Sequence, residues 1–454
     1  MTTLAPADCY ADAFEAVRRT APAPPAVADL RRRAFERFTA LGFPTTRDEA
    51  WRFTNVAPIA GAAFALAAPA EREAAVADVA PHAATGVGAG QTLLFVNGSC
   101  VAPASDLSAL PAGVEVTSLA DVLAADAGGA ARQAVESHLA SGAGIEREAF
   151  TALNTALLRD GAVVHVPANT VVEQPIQLLF VTSPPPAGAP VMTHPRVLIV
   201  VGENAQVRLV ESYGGGGEPA YLTNAVTEVV AGPGAVVDHY KTVRENPAAF
   251  HIASMHVRLG RAARFSSHAV TLEGAIVRND VQALLDGEGG ECTLNGLYLA
   301  SGRRLVDNHT TIHHAQPHCS SHELYKGILD GEARAVFNGK IIVAIDAQKT
   351  DAKQSNKALL LSEDAQINTK PELEIFADDV RCTHGATVGQ LDEDALFYLR
   401  ARGLGLEQAR NVLIHAFASD LLNRIAIESI REQLEDLLLD QLPGSGGGSF
   451  HVDG

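Results

Sequence analysis

Cys382 and His384 stand two residues apart in ADDVRCTHGATVG, residues 377–389. A soft thiolate and an imidazole suit zinc or iron–sulfur species, and a spacing of two on a strand turns both toward one face. Upstream, Leu373, Ile375 and Ala377 share a strand face, and the acid pair Asp378–Asp379 breaks the phase as a corner between sheets does. Val380, Cys382 and His384 then resume on a common face, and Gly385 leaves the backbone free to turn. Two ligands do not complete a tetrahedral shell. The residues therefore leave two readings open: half of a site finished from elsewhere, or a cysteine that packs beside a histidine capping a turn.

A second group, DNHTTIHHAQPHCSSHELYKG at 307–327, holds His309, His313, His314, His318, His322 and Cys319. On a strand His309, Thr311 and His313 share a face and His314 takes the other. No HExxH-like placement of an acid beside two ligands occurs, so a polar surface stretch with one or two functional histidines fits better than a mononuclear centre. A third stretch, IDAQKTDAKQSNKALLLS at 345–362, spaces Lys349, Lys353 and Lys357 every four residues with Gln348, Gln354 and Asn356 between them, as a solvated face does. The NGK at 338–340 is followed by Ile341 and lacks the phosphate-loop pattern, and no GxSxG elbow is present. GVGAG at 86–90 lacks the strand–loop–helix setting of a dinucleotide loop.

Composition narrows the class. A net charge of −18 repels phosphate backbones and anionic lipid. No apolar run approaches the roughly 20 residues of a membrane span, and the N-terminus lacks a secretory pattern, so a soluble cytoplasmic protein is expected. Five scattered cysteines without a CxxC fit reduced thiols rather than a disulfide framework or a four-cysteine zinc site.

The elements that must position these residues change along the chain. Residues 1–60 read as helical, with Ala28 to Leu41 at helical spacing after the breaker PAPPA, and Trp51 as a packing anchor. Strands at 91–98 and 113–119 and further helical pieces make residues 1–155 a helical and small α/β domain. From 160 to 390 short β-rich runs recur: 202–211, 232–241, 260–269, 331–340 and 362–371. Ala205, Ala235 and Ala263 anchor the first three at spacings of 30 and 28, and the wider spacing afterwards suggests insertions. Repeats of this length with strand composition predict a β-solenoid. Its open ends must be covered, because unpaired strand edges invite association. The tetraglycine 214–217 reads as a flexible hairpin tip. After Leu391 the period turns helical: Ala409, Val412, Leu413, Ala416 and Phe417 on one face, then Ile427, Ile430, Leu434 and Leu438, giving two helices in a C-terminal domain, 391–440. The glycine-rich tail 441–454 reads as linker-like.

The run VFNGKIIVAIDAQKTDAKQSNKALLLSEDAQINTKPELEIFADDVRCTHGATVGQLDEDALFYLRARG, 336–403, resembles the SufB/SufD family of iron–sulfur cluster assembly proteins. The likeness extends through HHAQPHCSSHELYKGIL and the C-terminal helices, and EAWRFTNV near residue 50 resembles the family's N-terminal tryptophan segment. The SufD branch fits better than SufB: Gly385 and ATVG follow His384 where SufB has a glutamate, and several sulfur-handling cysteines expected of SufB have no counterpart. The resemblance implies a mainly β fold, a right-handed parallel β-helix core with a C-terminal helical domain. It implies a non-catalytic scaffold subunit that pairs with SufB and works with two copies of the ATPase SufC, with a homodimer possible in isolation. It places His384, and less firmly Cys382, at a shared interface that holds a transient iron–sulfur cluster. The mechanism expected from it has the C-x-H end of the solenoid pairing edge-on with SufB, while the helices at 404–440 each offer an apolar stripe to a SufC. The rival reading is a β-helix enzyme, metal-dependent or carbohydrate-acting, using the 309–322 histidines. One tryptophan, seven tyrosines and the missing export pattern speak against it.

Overall fold

Most strands of the repeat region are about ten residues long, alternating in burial where one face is open to solvent, and the chain turns a corner after each one, so successive strands fall alternately on two sheets. The computed structural model describes residues 6–68, 91–101, 107, 110–125, 128–142, 144–183 and 190–441. GVGAG at 86–90 and the tail beyond Gln441 lie outside them. Among the described residues the two sheets have eleven and ten strands. From Arg196–Val201 and Gln206–Gly215 to Gln366–Ile375 and Arg381–Gly389, seven coils stack with every ladder parallel, a mainly β solenoid.

The stack is regular. In the ten-strand sheet the register runs Gln206, Val236, Arg264, Glu291, Ser320, Asp351, Arg381, so every coil takes between 27 and 31 residues. The large insertions expected from the repeat spacing do not exist. The segments 202–211, 232–241 and 260–269 lead into the ten-strand sheet, whereas 331–340 and 362–371 lead into the other, so their anchors sit half a coil out of phase.

One corner repeats along the stack. Asn204, Gly234, Ala262, Gly289, His318 and Lys349 all have φ between 53° and 72°. Each is followed by a small residue, and those at Ala205, Ala235, Ala263, Cys319 and Thr350 are at most 1% exposed. Left-handed backbone is uncommon outside glycine and persists where packing requires it. Here the corner amides bond from coil to coil: Asn204 to Pro233, Gly234 to Arg261, His318 to Gln348 and Lys349 to Asp379. The tetraglycine is not a hairpin tip. Gly214 and Gly215 end the buried strand Gln206–Gly215, and the chain then crosses to the other sheet.

Helices cover both outer faces. Phe14, Phe38 and Phe150, from Pro6–Thr20, Pro25–Leu41 and Ala149–Ala156, bury Met192, Leu222, Ile252 and Ile276 of the eleven-strand sheet. Trp51 is the packing anchor expected: its ring lies 5.4 Å from Phe150 and 3.9 Å from the buried Arg278 guanidinium. The C-terminal region has three helices rather than two, Glu393–Ala401, Leu406–Leu422 and Glu428–Asp440. They lie back on the ten-strand sheet, where Ile414, Leu421, Ile430 and Leu434 pack with Leu297, Leu324 and Ile328. Of the stripe expected on Leu406–Leu422, Ala409 is buried and Phe417 packs against the core, but Val412 and Ala416 are exposed; the other buried residues are Asn411, Ile414, Ala418, Leu421 and Leu422. Lys326 adds a tie, its Nζ 2.8 Å from both Asp420 Oδ2 and the Phe417 carbonyl.

Strands from the N-terminal α/β region belong to the solenoid sheets. Thr92–Val96 pairs parallel with Ile176–Thr182, and Glu115–Ser118 pairs antiparallel with Gly161–Val166. No described helix is long and apolar enough to cross a membrane.

Candidate functional site at the open end of the solenoid

The segment PELEIFADDVRCTH makes the corner its phase break suggests. Strand Gln366–Ile375 ends the eleven-strand sheet, residues 376–380 turn, and Arg381–Gly389 ends the ten-strand sheet. Each of these last strands pairs on one side only, with Arg334–Val343 and Asp351–Leu360 respectively. Gly385 does not turn the chain; the strand continues to Gly389.

Register decides which side chains face the interior. Cys382, His384, Ala386 and Val388 pair with Ala352, Gln354, Asn356 and Ala358, all of which are buried inside the stack. Parallel partners point the same way, so Cys382 and His384 face the solenoid interior at its last layer. Among the described residues no further coil lies above them. His384 is exposed, Val388 is 45% exposed, and across the end Ile375 and Phe376 are 39% and 62% exposed. Cys382 is half-buried against Ile341, Val343 and Ala352, and burial raises its thiol pKa. The thiol is thus held back from ionising unless a metal takes it.

Beneath this rim lies a polar floor that the lysine spacing hides. Lys353 and Lys357 point to solvent, as expected. Gln354 and Asn356, of opposite parity, are 3% and 0% exposed. Gln354 Nε2 donates to Glu323 Oε2 at 2.8 Å, and burial pushes the Glu323 carboxyl up to about 7. The sequence signal for this floor lies in alternate positions of DAKQSNKALL, where Gln354 and Asn356 share parity with Ala352 and Ala358.

The 309–322 histidines do not converge. His309 pairs with Asp307 at 3.0 Å on the outer face of strand Leu305–His314, with His313 on the same side. His314 points inward to Ser321 Oγ at 2.9 Å, and burial lowers its pKa to about 4. His318 and Cys319 form a corner, and His322 faces solvent. Among the described residues no group of three or more His, Cys, Asp or Glu is placed to hold a metal. A cleft of about 560 Å³ reaches His309, but Lys370 and Arg278 on its wall are already paired with Glu49 and Asp307.

Cys382 and His384 thus lie on an unpaired rim of a two-sheet parallel stack, and comparison with known proteins gives the family of that stack. The family described as "SUF system FeS cluster assembly, SufBD core domain" matches residues 185–417, and "SufBD protein N-terminal region" matches 6–178. The chain belongs to the SufBD family. It is 36% identical to an iron–sulfur cluster assembly SufBD family protein of Synechocystis sp., over 90% of this chain and 89% of that one. It is 31% identical to the iron–sulfur cluster assembly protein SufD of Escherichia coli, over 89% of this chain and 90% of the other. It is 27% identical to SufD of Bacillus subtilis, over 65% and 68%. The SufBD core match ends at 417, within the second C-terminal helix, so it takes in the whole open end.

Proposed function

We propose that this SufBD protein is a SufD-type scaffold subunit, which joins SufB through the open end of its solenoid and shares with it a site for a nascent iron–sulfur cluster. The observation that carries the reading is the exposed His384 on a strand with one free edge, above a finished core. A partner's edge strand supplies the missing backbone hydrogen bonds and covers the apolar rim of Ile375, Phe376 and Val388. It also brings the ligands that a single chain lacks. His384 is the principal ligand from this side, and Cys382, whose thiol burial disfavours as an anion, the lesser one. The cluster is cargo, and an imidazole ligand weakens its retention relative to a thiolate. The subunit is not itself an enzyme; ATP hydrolysis belongs to SufC, and the assembly works in the cytoplasm, with a homodimer through the same edge when SufB is absent.

SufC docking takes a different surface from the one the helical stripes suggest. Ile430, Leu434 and Leu438 are already covered within the chain. Phe397 at 75% exposed, Tyr398 at 55% and Leu406 at 47% remain on the outer side of the C-terminal helices, and these are the residues a SufC meets.

The test is anaerobic iron–sulfide reconstitution of this chain with SufB and SufC, read by visible absorption. His384→Ala is expected to lose most of the cluster signal while the complex still assembles, and Cys382→Ser to lose less. A His384→Ala complex with wild-type cluster content ends the ligand assignment.

A further inference from the structure

One interior row crosses the last three strands of the ten-strand sheet: Glu323, Gln354 and His384 are register partners in turn. Such partners lie about 4.8 Å apart and share a direction. Gln354 gives its amide nitrogen to Glu323 Oε2, which turns its donor half into the body of the stack. Its Oε1 is buried and has no partner. Asn356, in the neighbouring row, donates from Nδ2 to Thr369 Oγ1 on the last strand of the opposite sheet at 3.0 Å and likewise leaves Oδ1 buried and unpartnered. Gln354 thus spends its donor inward, Asn356 spends its own on the last strand of the opposite sheet, and both leave acceptors over one layer below the rim. A buried polar atom left unpaired costs about 1–3 kcal/mol, and such atoms call for an explanation.

The room for the Gln354 amide is made by Gly339 on the opposite sheet, where any Cβ would strike Nε2. Asn356 faces Ala386, which has no side-chain donor. Gln354 faces His384, and a neutral imidazole carries one N–H donor and one lone pair.

We propose that Gln354, braced by Glu323, accepts the ring N–H of His384 and so fixes which imidazole nitrogen is presented at the rim. Gln354 is a positioning residue: the hydrogen bond selects one tautomer, and the other nitrogen keeps its lone pair outward. Only the last step, that this lone pair meets the cluster, rests on the reading above. Histidines that bind metals almost always hand their second N–H to an acceptor, and losing that acceptor typically costs about 10–100-fold in metal affinity.

The experiment uses the full chain with 15N-labelled histidine, read by long-range proton–nitrogen NMR at a pH where the imidazole is neutral. His384→Ala assigns the signal. The wild-type ring is expected to hold one tautomer, and Gln354→Leu to shift it to a mixture. Gln354→Glu, which keeps an acceptor, restores the wild-type pattern. Gly339→Ala displaces the amide without removing any polar group and also disturbs the tautomer, which covers the case in which Gln354→Leu does not fold. Identical tautomer populations in wild type and in the folded Gln354→Leu or Gly339→Ala chain overturn the proposal. In the reconstituted complex, Gln354→Leu is further expected to lower iron affinity about 10–100-fold. Cluster retention by His384→Ala would sink the ligand reading and leave the tautomer result standing; an unchanged tautomer beside a His384-dependent cluster sinks only this proposal.

Discussion

The two ends of the solenoid are built from the same coil and finished differently. At the N-terminal end both sheets stop on an antiparallel strand, Glu115–Ser118 on one and Ser99–Cys100 on the other. Asp160 clasps them, accepting from the amides of Cys100, Ala120 and Gly161 and from Ser118 Oγ at 2.7–3.0 Å. Leu93, Phe95, Val116 and Phe180 beneath are at most 6% exposed. At the C-terminal end neither sheet has such a strand, and the interior-facing row of Cys382, His384, Ala386 and Val388 meets the surface. Among the described residues one end is closed by dedicated strands and the other is not, and this contrast supports the proposed joint at the second. Small repeats bury their faces only against neighbours, so the last coil is the one whose burial is unfinished.

The largest break in this contrast is expected at the closed end. Asp160→Ala removes one acceptor from four donors in a site that is 7% exposed. Even one stranded buried group costs about 1–3 kcal/mol, so a loss of about 3 kcal/mol or more is expected, measured by urea unfolding. A loss below about 1 kcal/mol would show that the clasp is not what finishes that end.

How much of this is legible in the sequence follows from what each signal measures. The corner at Asp378–Asp379, the parity of Cys382 and His384 and the opposed faces of His313 and His314 depend only on strand alternation, and all appear as expected. The coil length is blurred because Ala205 and Ala333 look alike yet sit on different sheets: the same small-residue corner recurs twice per coil. His318 and Cys319 look like ligands because left-handed corners and buried corner positions admit unusual residues, a constraint visible only in φ and burial. Gln354 is hidden by Lys353 and Lys357, since charge at a spacing of four draws attention away from polar residues at a spacing of two. The stripe Ile427, Ile430, Leu434 and Leu438 is buried, as its spacing implies, but amphipathicity does not say against what, and the cover proves to be the chain's own sheet.

A sharper comparison uses pH, because the buried carboxyl of the closed end, Asp160, is held by four donors, whereas Glu323 in the open end's polar floor is held chiefly by Gln354. Burial raises Glu323 from the usual 4.5 to about 7. The folded state therefore holds that proton more tightly than the unfolded chain. Its ionisation penalises folding increasingly as pH rises from about 4.5 to 7, and the penalty is complete above that. Glu323→Gln removes the ionisable group and keeps an acceptor for Gln354. The variant is expected to gain on wild type by about 2–3 kcal/mol between pH 5 and pH 8, since a tenfold change in proton affinity is worth about 1.36 kcal/mol and part of the penalty is already present at pH 5. Parallel stability–pH curves for the two proteins would mean that Glu323 binds its proton equally in the folded and unfolded chain, and that burial does not raise it.

The smallest effect on folding is expected at the residue with the largest effect on function. His384 is exposed on a strand paired along one edge, so His384→Ala removes little buried area. Its cost is the loss of the partner proposed for Gln354 Oε1, about 1 kcal/mol, since the open rim lets water reach that atom once the ring is gone. The urea midpoint of the isolated chain should fall only slightly, whereas the same substitution is expected to lower the cluster signal of the assembled complex strongly. Gln354, one layer down and buried, should behave oppositely to His384 in isolation: its loss strands Glu323 and lowers the midpoint measurably. A large destabilisation by His384→Ala would instead make the imidazole part of this chain's own core, and the open end would then be an ordinary edge, finished from within.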